Sequence, residues 1–204
     1  MFHNTLKLLI LGSLLQHAAY ADTPVSAVDY SPDRTVVYKT ASGVELSLHV
    51  FEPEGWKASD QRAAAVFFFG GGWSGGSPNQ FYQHARDLAD KGMVTFSADY
   101  RVKSRNKTTP FECVTDGKSA VRWVRAHAAE LGVDPEKIVA SGGSAGGHVA
   151  ACTGTIVGQE EAGDDLEVSS EPNLMILFNP VLDTSELGYG DKRFTADQKT
   201  SLSP

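Results

Sequence analysis

Hydrophobic and polar positions along the chain alternate between short apolar runs and amphipathic segments, and each change of period marks an element. Residues 35–39 and 44–51 are β-rich runs joined by Ala-Ser-Gly, the pattern of a hairpin. After a polar stretch at 52–62, residues 63–69 (AAAVFFF) are continuously apolar and stop at Gly70-Gly71-Gly72-Trp73. A run this short without alternation predicts a strand buried on both faces. Residues 81–91 carry helical spacing closed by Gly92, and residues 93–100 return to a strand pattern. Beyond Pro110, residues 111–131 carry Val114, Ala120, Val121, Val124 and Ala128 at helical spacing and end at Gly132, which predicts the longest helix.

The same alternation continues to residue 178. Residues 138–140 read as a short strand and 145–157 as a helix. Residues 174–178 (LMILF), after an acidic loop, are apolar on both faces, which suits an interior strand with a neighbour on each side. The polar, turn-rich stretch that follows is expected at the surface. The predicted fold is α/β, a mostly parallel central sheet with helices on both faces. Sites in such sheets form beyond the carboxyl ends of the strands, where both glycine-rich stretches fall.

Composition narrows the setting. The chain has 204 residues, 41% of them hydrophobic, enough for one domain with a substantial core. Residues 1–21 run from Lys7 through an apolar stretch to small residues at Ala19 and Ala21, the form of a secretory signal cleaved before Asp22. The apolar run is far shorter than the ~20 residues of a spanning helix. Residues 22–204 are therefore expected as a secreted or periplasmic domain with no membrane attachment after cleavage. A net charge of −7 argues against nucleic acid as a partner. Export would permit one disulfide between Cys113 and Cys152; two buried free thiols are equally compatible, and neither cysteine has the paired spacing of a metal site.

The chemistry concentrates at Gly142-Gly143-Ser144-Ala145-Gly146, which has G-x-S-x-G spacing between a predicted strand and a predicted helix. Glycines let the chain reverse there, so the Ser144 hydroxyl projects outward. The Ala145 N–H then opens a helix, where donors are unpaired and the dipole favours negative charge. A phosphate-binding loop is the competing reading, but GGSAGG lacks the lysine that such a loop supplies. Gly70, Gly71 and Gly72 follow another buried strand and can bring further N–H donors to the same place.

FFFGGGW, SADYR, DGKSAVRWVRAHAAELGVDPEKI and SGGSAGGHVA together resemble the α/β-hydrolase fold. Within it, the sequence is similar to carboxylesterases of the hormone-sensitive-lipase and feruloyl/acetyl-xylan-esterase-like groups. The resemblance implies an acyl-accepting nucleophile at Ser144, an oxyanion hole from the N–H groups of Gly71, Gly72 and Ala145, and an ester substrate, small or polysaccharide-linked. It departs from the family where the usual HGGG reads Phe69-Gly70-Gly71-Gly72. Trp73, Phe81 and Tyr82 are candidates for lining a substrate pocket and equally for the core.

A serine needs a base, and in this fold the order along the chain is serine, acid, histidine. After Ser144 the chain has only His148, on the elbow's own helix, better placed to support the bend than to act as base. His49, His84 and His127 precede the serine and suit solvated or structural roles. Asp183 is the best-placed acid, with Asp164, Asp165, Asp191 and Asp197 in polar loops. In the resemblance the acid and histidine follow two later strands, so the triad is expected to be completed beyond Pro204. Losing a triad in a comparable hydrolase costs ~10⁶ in turnover, leaving ~10³–10⁴ over water. Two other readings stay open: a non-catalytic module that keeps the pocket, and a serine peptidase of the same fold. Hydrolysis by this route needs no metal and no organic cofactor.

Overall fold

The computed structural model describes residues 29–189 and 194–204; the leader expected at residues 1–21 lies outside them. Six strands form one sheet: β1 (Arg34–Ala41), β2 (Val44–Phe51), β3 (Arg62–Phe68), β4 (Val94–Ala98), β5 (Val133–Gly143) and β6 (Leu174–Phe178), in the order β1-β2-β4-β3-β5-β6. The β1–β2 hairpin joins β4 antiparallel, whereas β4, β3, β5 and β6 run parallel. This is the mixed, mostly parallel α/β architecture that the sequence pattern predicts.

The helices are α1 (Tyr82–Ala89), α2 (Lys103–Asn106), α3 (Pro110–Ala126), α4 (Ala128–Leu131), α5 (Ala145–Thr155) and α6 (Ala196–Ser201). Alternation along the strands divides the faces. Thr95 of β4 donates its hydroxyl to the Ala85 carbonyl of α1, and Phe67 of β3 stacks on Phe81 at 5.3 Å. On the opposite face α3 and α5 pack on each other and on the sheet. Phe68, Phe96, Tyr100, Val121, Ile138 and Val149 are fully buried. Each such side chain contributes ~1.5–3 kcal/mol of transfer free energy.

The structure departs from the sequence pattern in several places: β5 spans Val133–Gly143 and not only 138–140, α2 and α6 are additional helices, and two further differences have a clear physical reason. The helix expected over 111–131 is two, and at the break the His127 imidazole Nδ1 joins the backbone N–H on the Trp123 carbonyl. The backbone leaves helical geometry there (φ −101°, ψ 13°) and restarts as α4. The second is β6, which is an edge strand among the described residues, not an interior one. Met175 and Leu177 face α5, whereas Leu174, Ile176 and Phe178 are 56%, 44% and 41% exposed. Their face stays open because α1 sits over β4 and β2, and no element among the described residues covers β5 and β6 there.

Cys113 and Cys152 are both buried free thiols, so the bridge that export would permit is not formed. Burial raises the pKa of each. Cys113 donates to the Arg101 carbonyl instead.

Candidate active site

Register places the ends of three strands side by side. Phe68 of β3 pairs with Gly142 of β5, and Gly143 pairs with Phe178 of β6. The chain therefore leaves the sheet at Gly70, Ser144 and Asn179 as neighbours. At Ser144 the backbone takes φ 54° and ψ −119°, a region that side-chain-bearing residues rarely occupy. Such strain costs ~1–3 kcal/mol and persists only where the surroundings over-determine it. Here the Ser144 N–H donates to the Phe178 carbonyl (3.0 Å), and the Ser144 carbonyl accepts from the N–H groups of His148 (3.0 Å) and Val181 (3.4 Å).

The flanking glycines are needed because backbones touch. A Cβ at Gly142 would lie 2.4 Å from the Gly146 carbonyl oxygen, and one at Gly146 would lie 2.1 Å from that of Phe68. The turn therefore closes tightly onto β3. The result is a half-buried hydroxyl at the head of α5, beside the first N–H of that helix at Ala145.

The second loop supplies donors. Gly71 has φ 138° and a site for a Cβ only 2.2 Å from the Gly75 carbonyl oxygen, so glycine alone fits. The Gly70 N–H is taken by the side-chain oxygen of Gln80 at 2.5 Å. The N–H groups of Gly71 and Gly72 have no acceptor among the described residues. Of the three N–H groups after Phe69, the two expected from the sequence are thus the ones left free. Phe69 itself is fully buried and stacked on Tyr100 at 4.0 Å, and the Tyr100 hydroxyl donates to the Phe69 carbonyl at 2.5 Å.

A cavity of about 380 Å³ opens beside Ser144. Gly70, Gly71, Gln80, Phe81, His84, Gly143, Phe178 and Asn179 complete its wall. Of the three aromatic candidates, Phe81 lines this cavity and the other two do not. Trp73 is 3% exposed: its backbone turns through φ 57°, which sends the indole inward against His148 and Phe194. Tyr82, one residue beyond Phe81, points to the other side of the turn, where it bonds His49 Nδ1 at 2.7 Å and packs edge-on to Phe51. Gln80, Phe178 and Asn179 were not singled out from the sequence, and His84, expected in a solvated or structural role, lines the cavity as well; the register of β5 against β6 and the turn before α1 bring these residues in from distant positions.

His148 is fully buried and both ring nitrogens are engaged. Trp73 Nε1–H donates to Nδ1 at 3.3 Å, and Nε2–H donates to the Leu202 carbonyl at 2.7 Å. Burial lowers its pKa to about 4, with the Leu202 carbonyl opposing. The ring is a neutral brace that ties α5 to Trp73 and Leu202 and has no lone pair free for the Ser144 proton. Among the acids, Asp183 is exposed and accepts the Ser185 N–H, Asp164 pairs with Arg122 at 2.7 Å, and Asp197 bonds Ser201. Asp191 lies outside the described residues. Among the described residues no acid bonds a histidine beside Ser144, and no cluster of His, Cys, Asp and Glu is grouped to hold a metal.

Comparison with known proteins gives this geometry relatives. The model of the BD-FAE family matches residues 48–191. Carboxylesterase NlhH of Mycobacterium tuberculosis is 34% identical over 121 residues, covering 58% of this chain and 36% of that protein. Among solved structures, the apo form of Thermogutta terrifontis esterase 2 is 49% identical with a TM-score of 0.81, over 87% of this chain and 67% of that one. The same esterase phosphonylated by cyclosarin gives 50% identity and a TM-score of 0.79, over 84% and 64%. Esterase 2 is also solved with propionate and with butyrate bound. The chain thus spans about two thirds of these esterase 2 chains and 36% of NlhH.

Proposed function

The chain belongs to the BD-FAE family of α/β-hydrolases, and on that premise we propose that it carries the nucleophile and oxyanion hole of a serine carboxylesterase. The observation that carries the reading is Ser144, held in a strained turn with free N–H donors at Gly71, Gly72 and Ala145 around it. The Ser144 hydroxyl oxygen attacks the ester carbonyl while a base accepts its proton. The carbonyl π pair moves onto oxygen, where the three N–H groups stabilise it; one such donor is worth ~10²–10³ in turnover. The intermediate collapses with cleavage of the C–O bond, and the alcohol leaves with the proton returned by the base. Water then attacks the acyl-enzyme by the same route, releasing the acid and restoring Ser144.

We infer that the base and its orienting acid lie outside the 204 residues, since His148 is doubly bonded and no acid–histidine pair faces Ser144 among the described residues. Short acyl esters are the favoured substrates: Phe81 and Phe178 give the cavity an apolar wall, and propionate and butyrate are bound in similar structures. Attachment of such acyl groups to polysaccharide would suit an exported enzyme. Residues 1–21 are proposed as the export signal, and an N-terminus at Asp22 in the mature protein is the expected outcome of Edman sequencing.

A fluorophosphonate probe tests the nucleophile. The full-length protein should be labelled and Ser144→Ala should not. Equal labelling of both would remove Ser144 from the mechanism. Absence of labelling in both, with p-nitrophenyl butyrate unhydrolysed, would favour the non-catalytic module.

A further inference from the structure

An oxyanion hole needs its donors held to within ~0.5 Å, yet the Gly70–Gly72 loop has no polar side chain of its own and follows a phenylalanine. Its restraints come from elsewhere. Tyr100 holds the Phe69 carbonyl, the N–H groups of Ser74 and Gly75 close onto the Gly71 carbonyl, and Lys103 and Ser104 pin the far side through Trp73 and Ser74. These bonds fix both flanks. The Phe69–Gly70 peptide that leads into the donor pair is held at its carbonyl by Tyr100 and at its N–H by Gln80, whose Oε1 accepts the Gly70 N–H.

We propose that Gln80 is a positioning residue for the oxyanion hole, holding the Gly70–Gly71 segment in register with Ser144; this rests on the esterase reading above. The base of its side chain is rigid. Gln80 sits in the 3-10 turn Pro78–Phe81, where the Pro78 carbonyl accepts the Ser97 hydroxyl at 2.6 Å and Phe81 stacks on Phe67. It is also adjacent to the nucleophile: the point where a Cβ on Gly70 would lie is 3.4 Å from both Gln80 Oε1 and Ser144 Cβ. Capture of the Gly70 N–H has two effects. With Tyr100 it fixes the Phe69–Gly70 peptide plane, one residue ahead of Gly71, and it turns the amide so that Oε1 is occupied while the Nε2 hydrogens have no acceptor among the described residues. The Gln80 side chain thus adds N–H dipoles, not a negative charge, to the wall it shares with Ser144. Because Gln80 is exposed, the fold does not depend on it.

The experiment compares Gln80→Met and Gln80→Glu in the full-length protein with p-nitrophenyl butyrate. Met removes the acceptor at similar length. The expected result is a kcat lower by ~10- to 100-fold, the scale of a displaced catalytic group. KM should stay within about threefold, with an unchanged melting temperature. Glu keeps an acceptor oxygen but adds a charge beside the developing oxyanion. Its rate relative to wild type should rise as pH falls toward the ordinary glutamate pKa of ~4.3, while the Met ratio stays flat. A Gln80→Met protein with wild-type kcat, or one whose loss lies entirely in folding or KM, would overturn the proposal. Ser144→Ala separates the two readings. Wild type no faster than Ser144→Ala would sink the esterase reading and Gln80 with it, whereas an inactive Ser144→Ala beside a fully active Gln80→Met would sink Gln80 alone.

Discussion

Ser144 and His148 stand four residues apart on one turn of α5 and make opposite demands on their surroundings. Ser144 stores strain, and glycine tolerates φ near 54° without a Cβ clash. Ser144→Gly should therefore be more stable than Ser144→Ala by about 1 kcal/mol, read from urea denaturation, with both variants inactive. His148 stores a protonation cost. Its folded pKa of about 4 lies below the ordinary value of 6.5, so the unfolded chain binds a proton that the folded chain refuses. Stability from this group is complete above pH 6.5 and is lost as pH falls toward 4. Between pH 7 and 4.5 wild type should lose about 2 kcal/mol more than His148→Gln, which cannot titrate. Denaturation midpoints at the two pH values check it. The tight turn at Ser144 was readable from the spacing of its glycines. The identity of the histidine's partners was not, because Trp73 and the Leu202 carbonyl are distant in sequence.

At the scale of elements, the acidic stretch after α5 acquires a function that its composition hides. Read along the chain, residues 158–168 are a polar loop; in the fold they are drawn onto α3 and β1 by buried cations. Asp116 is fully buried and bonds Lys39 and Arg101, each at 2.7 Å, while Glu161 bonds the same two cations at 2.6 and 2.7 Å. Lys118 and Arg122 bond Glu160, and Arg122 also bonds Asp164. Burial pushes the Glu160 carboxyl up, but Lys118 and Arg122 outweigh it and the net pKa is lowered. Asp116→Ala should cost ~3–5 kcal/mol, since it removes the fully buried carboxylate between two buried cations and leaves the partly solvated Glu161 to balance both. Glu160→Gln, on a partly solvated group, should cost about 1 kcal/mol or less. Chemical denaturation of the two variants distinguishes the layers of the network. Charge composition alone could not rank these acids, because the ranking depends on which cation lies across the fold.

At the scale of the whole molecule, one face of the sheet stays open among the described residues. Leu174, Ile176 and Phe178 join Ala65, Phe67, Leu88, Met93 and Val139 around an apolar groove of about 400 Å³. Exposed patches of this kind, next to an unpaired strand edge, favour association. Residues 22–204 produced alone should self-associate in sedimentation velocity, and Ile176→Lys should shift the population toward monomer; equal distributions would show that this face is not sticky. The elements, the mostly parallel sheet and the Ser144 elbow were determined by the sequence itself, because period, glycine placement and strand-to-helix context are local properties of the chain. Tertiary structure alone decided that β6 is an edge, that Phe81 and not Trp73 or Tyr82 reaches the cavity, that both cysteines are free and that Gln80 holds Gly70. Each of these depends on strand register or on contacts between residues far apart in sequence, which hydrophobic periodicity does not encode.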